Sequence, residues 1–354
     1  MKINFNKSEA MSVGLPPHLL TALKDSFNFK WTNTGLKYLG TFLMEAYNIS
    51  GFMVLGFSDL WCCKDLIGLL LAFIYVTATI SNLVIFWVIL YDPQLHTAMY
   101  FFLGNLSFLD IAYITVIVPK MLVIIFTEDI YISYSGCAAQ LFSYVFLEGS
   151  EAFLLLAMAY DRYIAICSPL YYRNIMEKKF CLMLAASSWM SGGINSCIHT
   201  ALTFSLPFCG SHYVNQYFCD IPPLLHISCK VTFINEIVLF TVGGVWVGLG
   251  PFLLIIISYS YIWSAISKMH SAERKSKVFS TCSAHITVVA LFFGASLFTY
   301  IHPPSRYALD ENRVVSVIYS VLTPILNPFI YSLRNDSVKG ALQKAIKYLL
   351  LAKP

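Results

Sequence analysis

The sequence predicts an all-α membrane protein built as a seven-transmembrane helix bundle with a short amphipathic C-terminal helix. Of the 354 residues, 58% are hydrophobic and only 12% are charged, whereas soluble domains carry about 25% charged residues. Seven apolar stretches reach the length of roughly 20 residues that crosses about 30 Å of hydrocarbon. The net charge of +4 is small for a nucleic-acid-binding protein. Composition therefore favours a polytopic membrane protein.

The seven stretches predict spans near 66–90, 99–125, 137–163, 181–205, 233–263, 276–300 and 312–333. Several contain Gly or Pro, which membrane helices tolerate because neighbouring groups satisfy the freed backbone. The two halves of the chain show no internal repeat, which argues against a transporter built from inverted repeats.

The distribution of Lys and Arg predicts the orientation of the bundle. If the N-terminus lies outside, the inner loops and tail hold thirteen basic residues and the outer loops hold four. Excess positive charge in short loops marks the cytoplasmic side. The six lysines before the first span weaken the rule locally. The loops still favour an extracellular N-terminus and a cytoplasmic C-terminus.

Two further signals flank the spans. Asn48 opens the sequence Asn-Ile-Ser, an N-glycosylation acceptor that lies outside in this orientation. The tail from Asn335 predicts an amphipathic helix lying in the membrane surface, with a fraying terminus as the alternative. Its expected apolar face holds Val338, Leu342, Ile346 and Leu349.

Ionisable residues within apolar spans are expected to be functional, because charge is costly in a membrane. The spans of this chain contain Asp110, Glu148, Glu151, Asp161, Arg162 and His285. If the second and third spans pack together, Asp110 and Glu151 face each other at mid-membrane. They would then share a proton or bind a small hard cation such as sodium. A single neutral, hydrogen-bonded acid is the alternative.

The seventh span contains the sequence Asn327-Pro328 with Tyr331 one turn further along. Pro328 removes a backbone hydrogen bond and is expected to kink the helix. Asn327 is expected to satisfy freed backbone groups or to reach another helix. A hinge with polar side chains suits a two-state switch.

Four cysteines fall on the predicted outer side. Cys137 opens the third span, and the loop before the fifth span holds Cys209, Cys219 and Cys229. Four cysteines in an oxidising compartment allow two disulfides in three pairings. The inner and membrane cysteines are expected to stay reduced: Cys167, Cys181, Cys197 and Cys282.

The motifs together resemble an odorant (olfactory) receptor, a branch of the rhodopsin-like class A G-protein-coupled receptors. The resemblance covers roughly 44–350 and rests on four stretches: LHTAMYFFLGNLSFLD (95–110), MAYDRYIAICSPLYY (158–172), KVFSTCSAHITVV (277–289) and PILNPFIYSLRN (324–335). Asp-Arg-Tyr alone indicates the broad receptor class. The Lys-x-Phe-Ser-Thr-Cys stretch narrows it to odorant receptors. Phe293 departs from the family, which usually has Tyr at that position, so a polar contact at the pocket floor is lost.

The resemblance implies a domain organisation and two disulfides. Residues 1–64 would form an extracellular tail, of which 1–43 are a disordered extension. Residues 65–334 would form the receptor domain, and 335–354 the cytoplasmic amphipathic helix and tail. Cys137 would pair with Cys219, and Cys209 with Cys229.

The resemblance also implies an activation switch at the inner face. Arg162 would be held by Asp161 at rest and released to meet the G protein. Asn82 and Asp110 would form the polar centre of the first two spans, and Glu151 matches an acidic residue of the family, which supports the sodium site with Asp110. The implied switch residues are Asp161, Arg162, Tyr163, Tyr259, Lys277, Asn327, Pro328 and Tyr331.

A mostly apolar odorant pocket is expected in the outer half, among the third, fifth, sixth and seventh spans. Small-molecule sites are usually apolar with few polar groups. Glu148 is the unusual residue, because a carboxylate there could pair with an amine ligand; a protonated or water-bound acid, or one paired with His199, is the alternative. The expected lining residues are Tyr144, Val145, Glu148, Gly149, Gly243, Val247, Phe293, Ser296, Leu297 and Tyr300.

The function expected from these features is that of an odorant receptor in the plasma membrane. It would bind small volatile molecules, contact membrane lipid and activate a stimulatory, olfactory-type G protein that raises cAMP, without nucleic-acid partners. The alternatives are a rhodopsin-like receptor for another small ligand such as an amine, or a seven-helix transporter that relays ions. No nucleophile–base set or metal-ligand cluster suggests an enzyme, and no cofactor is expected beyond an allosteric sodium ion.

Overall fold

The structure is a computed structural model that describes residues 50–56, 64–209, 212–301, 321, 323–331 and 336–351. Eight helices dominate this part of the chain, and we number them in chain order. They are α1 (Lys64–Tyr91), α2 (Ala98–Thr127), α3 (Tyr134–Cys167), α4 (Lys178–Phe204), α5 (Phe233–Ser267), α6 (Ala272–Ile301), α7 (323–331) and α8 (Asp336–Leu351).

The helices confirm the first six predicted spans, whose ends differ from the observed ones by no more than four residues. Five stretches of the described chain are long and apolar enough to cross a membrane: Lys64–Tyr91, Ala98–Thr127, Tyr134–Cys167, Phe233–Ser267 and Val278–Leu297. Helix α4 has 27 residues, which at 1.5 Å per residue also spans the hydrocarbon. It is more polar because one of its faces carries Ser, Asn and His. Of the seventh span, only 321 and 323–331 fall within the described residues.

Short elements connect the long helices. Asp92 caps a 3₁₀ turn (Pro93–Leu95) between α1 and α2 by accepting a hydrogen bond from the backbone N–H of Gln94. One-turn helices follow α3 (Tyr172–Ile175) and precede α5 (Ile221–His226). Pro in the first turn after a capping Asp favours the starts at Asp92 and Asp220, because its missing N–H would be unpaired there anyway.

Helix α3 is the central helix, and it packs most closely on α4. The two backbones approach at Gly192, where a Cβ would lie 2.2 Å from the Ser150 hydroxyl oxygen and 2.5 Å from the Phe146 carbonyl oxygen. Only glycine fits at that distance. The Ser196 hydroxyl strengthens the contact by donating to the backbone carbonyl of Phe142 across the two helices, at 2.5 Å.

Helix α5 contains a wide-turn segment, Leu239–Leu249, in which the backbone follows a π-helical path. Wide turns of this type are rare and occur frequently at functional sites. The segment carries three glycines, Gly243, Gly244 and Gly248, of which Gly243 faces α4 at His199.

A small three-stranded sheet lies at one end of the bundle. The strand β1 (Gly51–Val54) is central; it pairs antiparallel with β2 (Tyr131–Ser133) and parallel with β3 (Tyr213–Val214). Within the predicted tail 1–64, the described residues 51–54 are therefore an ordered strand, and Phe52 and Val54 are fully buried. Asn48 and the predicted extension 1–43 lie outside the described residues.

The two ends of the bundle differ, and we name each by its chemistry. The disulfide end carries the sheet and the four bridged cysteines. The Arg162 end carries Arg162, the start of α4 and α8. Helix α8 lies against the first loop at this end, where the Lys344 Nζ approaches Asp92 Oδ2 at 3.4 Å and donates to Gln94 Oε1 at 3.0 Å. Its predicted apolar face agrees at Val338, which is fully buried, and Leu342, which is half-buried. The side chains of Ile346 and Leu349 lie outside the description.

Candidate functional site

Helix α3 carries polar side chains along its whole length, and these define three levels of the candidate site. Tyr144 and Glu148 lie toward the disulfide end, Glu151 lies in the middle, and Asp161 with Arg162 lies at the Arg162 end. One unbroken helix of 34 residues holds all three levels.

At the level nearest the disulfide end, Glu148 faces α6. The Ser296 hydroxyl donates to Glu148 Oε1 at 3.4 Å, and the Glu148 side chain is half-buried. Tyr144 is buried and packs on Phe218 of the disulfide loop, with ring centroids 4.9 Å apart. Val145 is buried beside it. The structure thus places Ser296 beside Glu148 and buries Tyr144 and Val145 one turn away on the same helix.

Two other predicted lining residues, Gly149 and Leu297, are placed differently from what the sequence predicts. Gly149 faces α4, because a Cβ there would lie 3.1 Å from the Cα of Gly192 and 3.3 Å from the Asn195 amide nitrogen. It is therefore a packing residue. Leu297 is 58% exposed, because residues adjacent on a helix point about 100° apart and Ser296 takes the inward direction. The side chain of Tyr300 lies outside the description.

The predicted pocket residues of α5 and the floor residue of α6 lie inside the bundle. Val247 is buried, and Gly243 lies against α4, where a Cβ would be 3.5 Å from His199 Nε2. Phe293 is buried and packs on Phe252 with ring centroids 5.2 Å apart. His199 Nε2 has no hydrogen-bond partner among the described residues, so the alternative in which Glu148 pairs with His199 finds no support there and stays a prediction.

Asp220 is a site residue that sequence reasoning missed. It follows the bridged Cys219, is 4% exposed, and caps the one-turn helix by accepting from the Ile221 N–H at 2.7 Å. Burial raises the pKa of its carboxyl group to about 6. It lies close enough to Glu148 for the two carboxyl groups to interact electrostatically. The Asp-x-Pro start of a helix was the available signal.

The middle level joins three helices. The Asn327 amide nitrogen lies 3.1 Å from both carboxylate oxygens of Asp110 and so links α7 to α2. Asn82 on α1 donates to the backbone carbonyl of Pro324 at 2.8 Å. That carbonyl is the one whose helical partner Pro328 cannot supply, because proline lacks an N–H. Asn82 thus compensates the kink that the sequence predicts.

Asp110 and Glu151 are both buried at this level. They lie close enough to interact electrostatically, as the sequence predicts for adjacent second and third spans. Glu151 Oε1 and Asn327 Oδ1 have no hydrogen-bond partner among the described residues. Two buried oxygen acceptors beside a carboxylate form a donor set suited to a proton or a small hard cation.

At the Arg162 end the expected Asp161–Arg162 pair does not form. Asp161 Oδ1 accepts a hydrogen bond from the Tyr172 hydroxyl at 2.8 Å, and Arg162 Nη1 donates to the Met158 carbonyl of its own helix at 3.0 Å. Neighbouring residues on a helix do not face each other, so a partner from the next loop takes the carboxylate. Burial and Asp161 raise the pKa of the Tyr172 hydroxyl above its usual range.

Arg162 is buried beside a cavity of about 20 Å³, which has room for roughly one water molecule. Thr281 of α6 and Tyr331 of α7 also line it. Arg162 Nε and the Tyr331 hydroxyl have no hydrogen-bond partner among the described residues. Donors from three helices therefore converge on one small space.

The remaining switch residues belong to α3, α5, α6 and α7. The Tyr259 hydroxyl lies 2.8 Å from His285 Nδ1, linking α5 to α6. Tyr163 packs on Tyr261 with ring centroids 5.9 Å apart. Pro328 is buried. Lys277 lies in α6, and its side chain is outside the description.

Two disulfides close the opposite end. Cys137 is bonded to Cys219 and Cys209 to Cys229, with Cα–Cα distances of 5.5 and 5.6 Å. These are the pairs that the resemblance implies. Cys167, Cys181, Cys197 and Cys282 are free, as expected.

The combination of a disulfide-closed end and a buried arginine on one central helix agrees with a comparison against known proteins. A model of the olfactory receptor family matches residues 71–349. The chain is 49% identical to olfactory receptor 1G1 of Gorilla gorilla gorilla over 307 residues, 86% of this chain and 97% of that relative. The chain belongs to the olfactory receptor family. It is 47% identical to olfactory receptor 5AR1 of Mus musculus over 273 residues, 77% of this chain and 88% of that one. It is 45% identical to olfactory receptor 5A1 of Homo sapiens over 308 residues, 86% of this chain and 98% of that one.

Membership of the olfactory receptor family decides between the alternatives raised by the sequence. Olfactory receptors are seven-helix membrane receptors and not enzymes, which confirms the predicted fold class and the predicted lack of enzymatic activity. The chain is a multi-pass membrane protein, and the ion-relay transporter is set aside. His285, one of the supposed relay groups, is instead a partner of Tyr259.

Proposed function

We propose that this olfactory receptor binds small volatile odorants toward the disulfide end and activates a stimulatory G protein at the Arg162 end, raising cAMP. The observation that carries the proposal is the continuity of α3. The same helix presents Glu148 to α6 and Arg162 to the cavity shared with α6 and α7. A ligand that shifts α6 against α3 changes both levels.

The ligand-binding step rests on apolar burial with few polar contacts. Burial of apolar surface contributes about 25 cal/mol per Å², so a small volatile molecule reaches micromolar affinity. Tyr144, Val145, Val247 and Phe293 supply the apolar contacts, and Ser296 with Glu148 supplies polar ones.

The signalling step uses hydrogen-bond donors around Arg162 that have no partner among the described residues. Arg162 makes one hydrogen bond, to a carbonyl of its own helix, and its Nε has no partner among the described residues. Outward movement of α6 opens the cavity to a G-protein helix, which then accepts from the guanidinium group. Tyr259 and Tyr331 supply the hydroxyl groups that stabilise the opened state.

An allosteric sodium ion belongs to the same proposal. Asp110 and Glu151 would hold it, with the unpartnered Asn327 Oδ1 as a further oxygen. The bound cation would neutralise the two acids and hold α2, α3 and α7 in the resting arrangement. Replacing sodium by choline in the medium is expected to increase the odorant response of the receptor and to leave that of Glu151→Gln unchanged.

We also infer the placement of the receptor in the plasma membrane. The disulfide end, with the sequon at Asn48, faces outside, and the Arg162 end with α8 faces the cytoplasm. The basic residues of the inner loops and the bridged cysteines support this orientation. Removal of an Asn48 glycan by an endoglycosidase applied to intact cells tests it.

The test of the proposed function is odorant-evoked cAMP in cells that express the full chain. Arg162→Ala is expected to abolish the cAMP response while the receptor still reaches the cell surface. Arg173→Ala, a basic residue in the one-turn helix at the same end, is the matched control and keeps the response. A full cAMP response in Arg162→Ala would rule out the proposed coupling mechanism.

A second candidate ligand class is the amines. The observation that favours it is the closeness of Glu148 to the buried Asp220, with no Lys or Arg within 4.0 Å of either among the described residues. An ammonium group would offset both carboxylates. An amine agonist whose potency is unchanged in Glu148→Ala would rule this class out.

A further inference from the structure

We infer that α4 contributes a polar subsite, formed by His199 and Asn195, that binds the hydroxyl group of an alcohol odorant. This inference deepens the proposed odorant function and rests on it. The pocket expected from the sequence lies among the third, fifth, sixth and seventh spans and includes no residue of α4.

The first support is a pair of buried side chains with unused hydrogen-bonding atoms. His199 is 3% exposed and Asn195 is 4% exposed. Neither His199 Nε2 nor Asn195 Oδ1 has a hydrogen-bond partner among the described residues. Buried polar groups normally have partners, and a membrane interior makes an unmade bond more costly. These two atoms therefore point to a group that completes them.

The second support is the position of the pair. Residues four apart on a helix are neighbours on one face, so Asn195 and His199 point the same way, toward α3 and α5. The Asn195 amide lies against Gly149, the residue after Glu148. His199 Nε2 lies against Gly243 in the wide-turn segment of α5. Because Gly243 has no side chain, no Cβ at that position covers His199 Nε2.

The chemistry of the two atoms selects a hydroxyl group. Asn195 Oδ1 only accepts hydrogen bonds, whereas His199 Nε2 donates when it carries the ring proton. An alcohol both donates and accepts, so one hydroxyl satisfies both atoms. An ether or ketone of the same size only accepts, and it satisfies His199 alone. A hydrocarbon satisfies neither. The subsite therefore ranks alcohols above ethers, and ethers above hydrocarbons.

The experiment compares straight-chain alcohols from butanol to decanol with their methyl ethers, using cAMP as the readout and surface labelling to normalise expression. The unmodified receptor is expected to respond to alcohols at lower concentration than to the ethers. Asn195→Leu is expected to remove that preference by weakening the alcohol response about tenfold, which corresponds to about 1.4 kcal/mol. His199→Phe is expected to weaken alcohols and ethers alike by a similar factor.

Two further variants keep the test decisive. Ser187→Ala removes an exposed hydroxyl of α4 that bonds its own helix at the Leu184 carbonyl, and it keeps the preference. Gly243→Ala covers His199 Nε2 from α5 without altering α4. It is expected to weaken the responses to alcohols and to ethers, and it tests the subsite even if the α4 variants do not reach the cell surface.

The outcomes separate the inference from the proposed function. Equal potency of alcohols and ethers on the unmodified receptor overturns the subsite, as does a preference that survives in Asn195→Leu or full potency in Gly243→Ala. A receptor that responds to other odorants and to no alcohol also overturns it and leaves the proposed function intact. A receptor that responds to no odorant of any class overturns both the subsite and the proposed function.

Discussion

The two ends of the bundle are held together in different ways. At the disulfide end, two covalent bridges and a three-stranded sheet hold the loops, and the buried Asp220 is committed to capping a helix. At the Arg162 end, Arg162 Nε, the Tyr331 hydroxyl and His285 Nε2 are buried without hydrogen-bond partners among the described residues. The disulfide end is held covalently, although Asn195 Oδ1 and His199 Nε2 in the adjoining half of α4 are also unpartnered among the described residues. Both disulfides of the described residues lie at that end, and neither holds the Arg162 end. A receptor needs this asymmetry, because a rigid ligand-binding frame must drive an end that can rearrange.

The largest expected effect comes from breaking the fixed end. Replacing Cys137 and Cys219 by Ser opens a loop with a sequence separation of 82 residues, whereas Cys209 and Cys229 close one of 20. Chain entropy puts the two losses at about 4.5 and about 3.3 kcal/mol. Thermal unfolding in detergent and surface expression should both rank the first pair as more damaging. The reverse ranking would mean that loop entropy is not what these bridges supply.

The next effect concerns the buried acid of the same end. The pKa of Asp220 rises from 3.8 to about 6 because of burial, so the unfolded chain releases the proton first as pH rises. Stability therefore falls between about pH 4 and pH 6 and stays reduced above that window. Asp220→Asn keeps an acceptor for the Ile221 N–H and removes the ionisable group, so the stability of the variant no longer falls through this pH range. At about 1.36 kcal/mol per pH unit, the gain at neutral pH is roughly 3 kcal/mol.

Unfolding temperatures of Asp220→Asn at neutral pH and near pH 4 measure this effect. The variant should be the more stable protein at neutral pH and should match the unmodified receptor near pH 4. Asp65→Asn, which changes an exposed carboxylate of α1, is the control. An advantage of equal size at both pH values would contradict the explanation by burial.

A smaller effect is expected midway between the ends. Asn82→Leu leaves the Pro324 carbonyl without its donor, at a cost of about 1–3 kcal/mol for an unsatisfied buried group. Ser81→Ala is the control, because its hydroxyl bonds the Thr77 carbonyl of its own helix at 2.7 Å. The difference between the unfolding free energies of the two variants measures the contribution of the hydrogen bond from Asn82 to the Pro324 carbonyl. Equal stability of both would show that another group satisfies Pro324.

The smallest effect is expected at the contact of α8 with the first loop. Lys344 and Asp92 form an exposed ion pair with Nζ and Oδ2 3.4 Å apart, and exposed pairs contribute little to global stability. Lys344→Ala should therefore leave the unfolding temperature unchanged and speed hydrogen exchange in α8 at low salt. Lys347→Ala, also on the exposed side of α8, should do neither. A lower unfolding temperature in Lys344→Ala would show that α8 anchors the bundle.

Sequence alone predicted the parts of the molecule that depend on local pattern. Apolar runs predicted six spans to within four residues, and Pro328 predicted a kink whose freed carbonyl is now seen bonded to Asn82. The fold class followed from the same runs, because a membrane leaves helices few alternatives.

Contacts between distant segments could not be predicted in the same way. The Tyr172 hydroxyl replaces Arg162 as the partner of Asp161, and Gly149 packs on Gly192 instead of lining a pocket. The Gly149 contact depends on the rotation of α3 against α4, which hydropathy does not encode in a helix that is apolar on most faces. The Tyr172 contact depends on how the chain turns back after the end of α3. The role of Asp220 depends likewise on where a disulfide-bonded loop folds back.

The sheet at the disulfide end also sets an order of assembly. β1 precedes the first span, yet its partners β2 and β3 follow the second and fourth spans. Met53 pairs with Tyr131 on one side and with Tyr213 on the other. During synthesis one edge of the strand can pair after two helices have been inserted, whereas the other edge must wait for four. The sheet is therefore complete only after the first four helices have been inserted. A chain that stalls before Tyr213 exposes an unpaired strand edge, which quality-control proteins can bind.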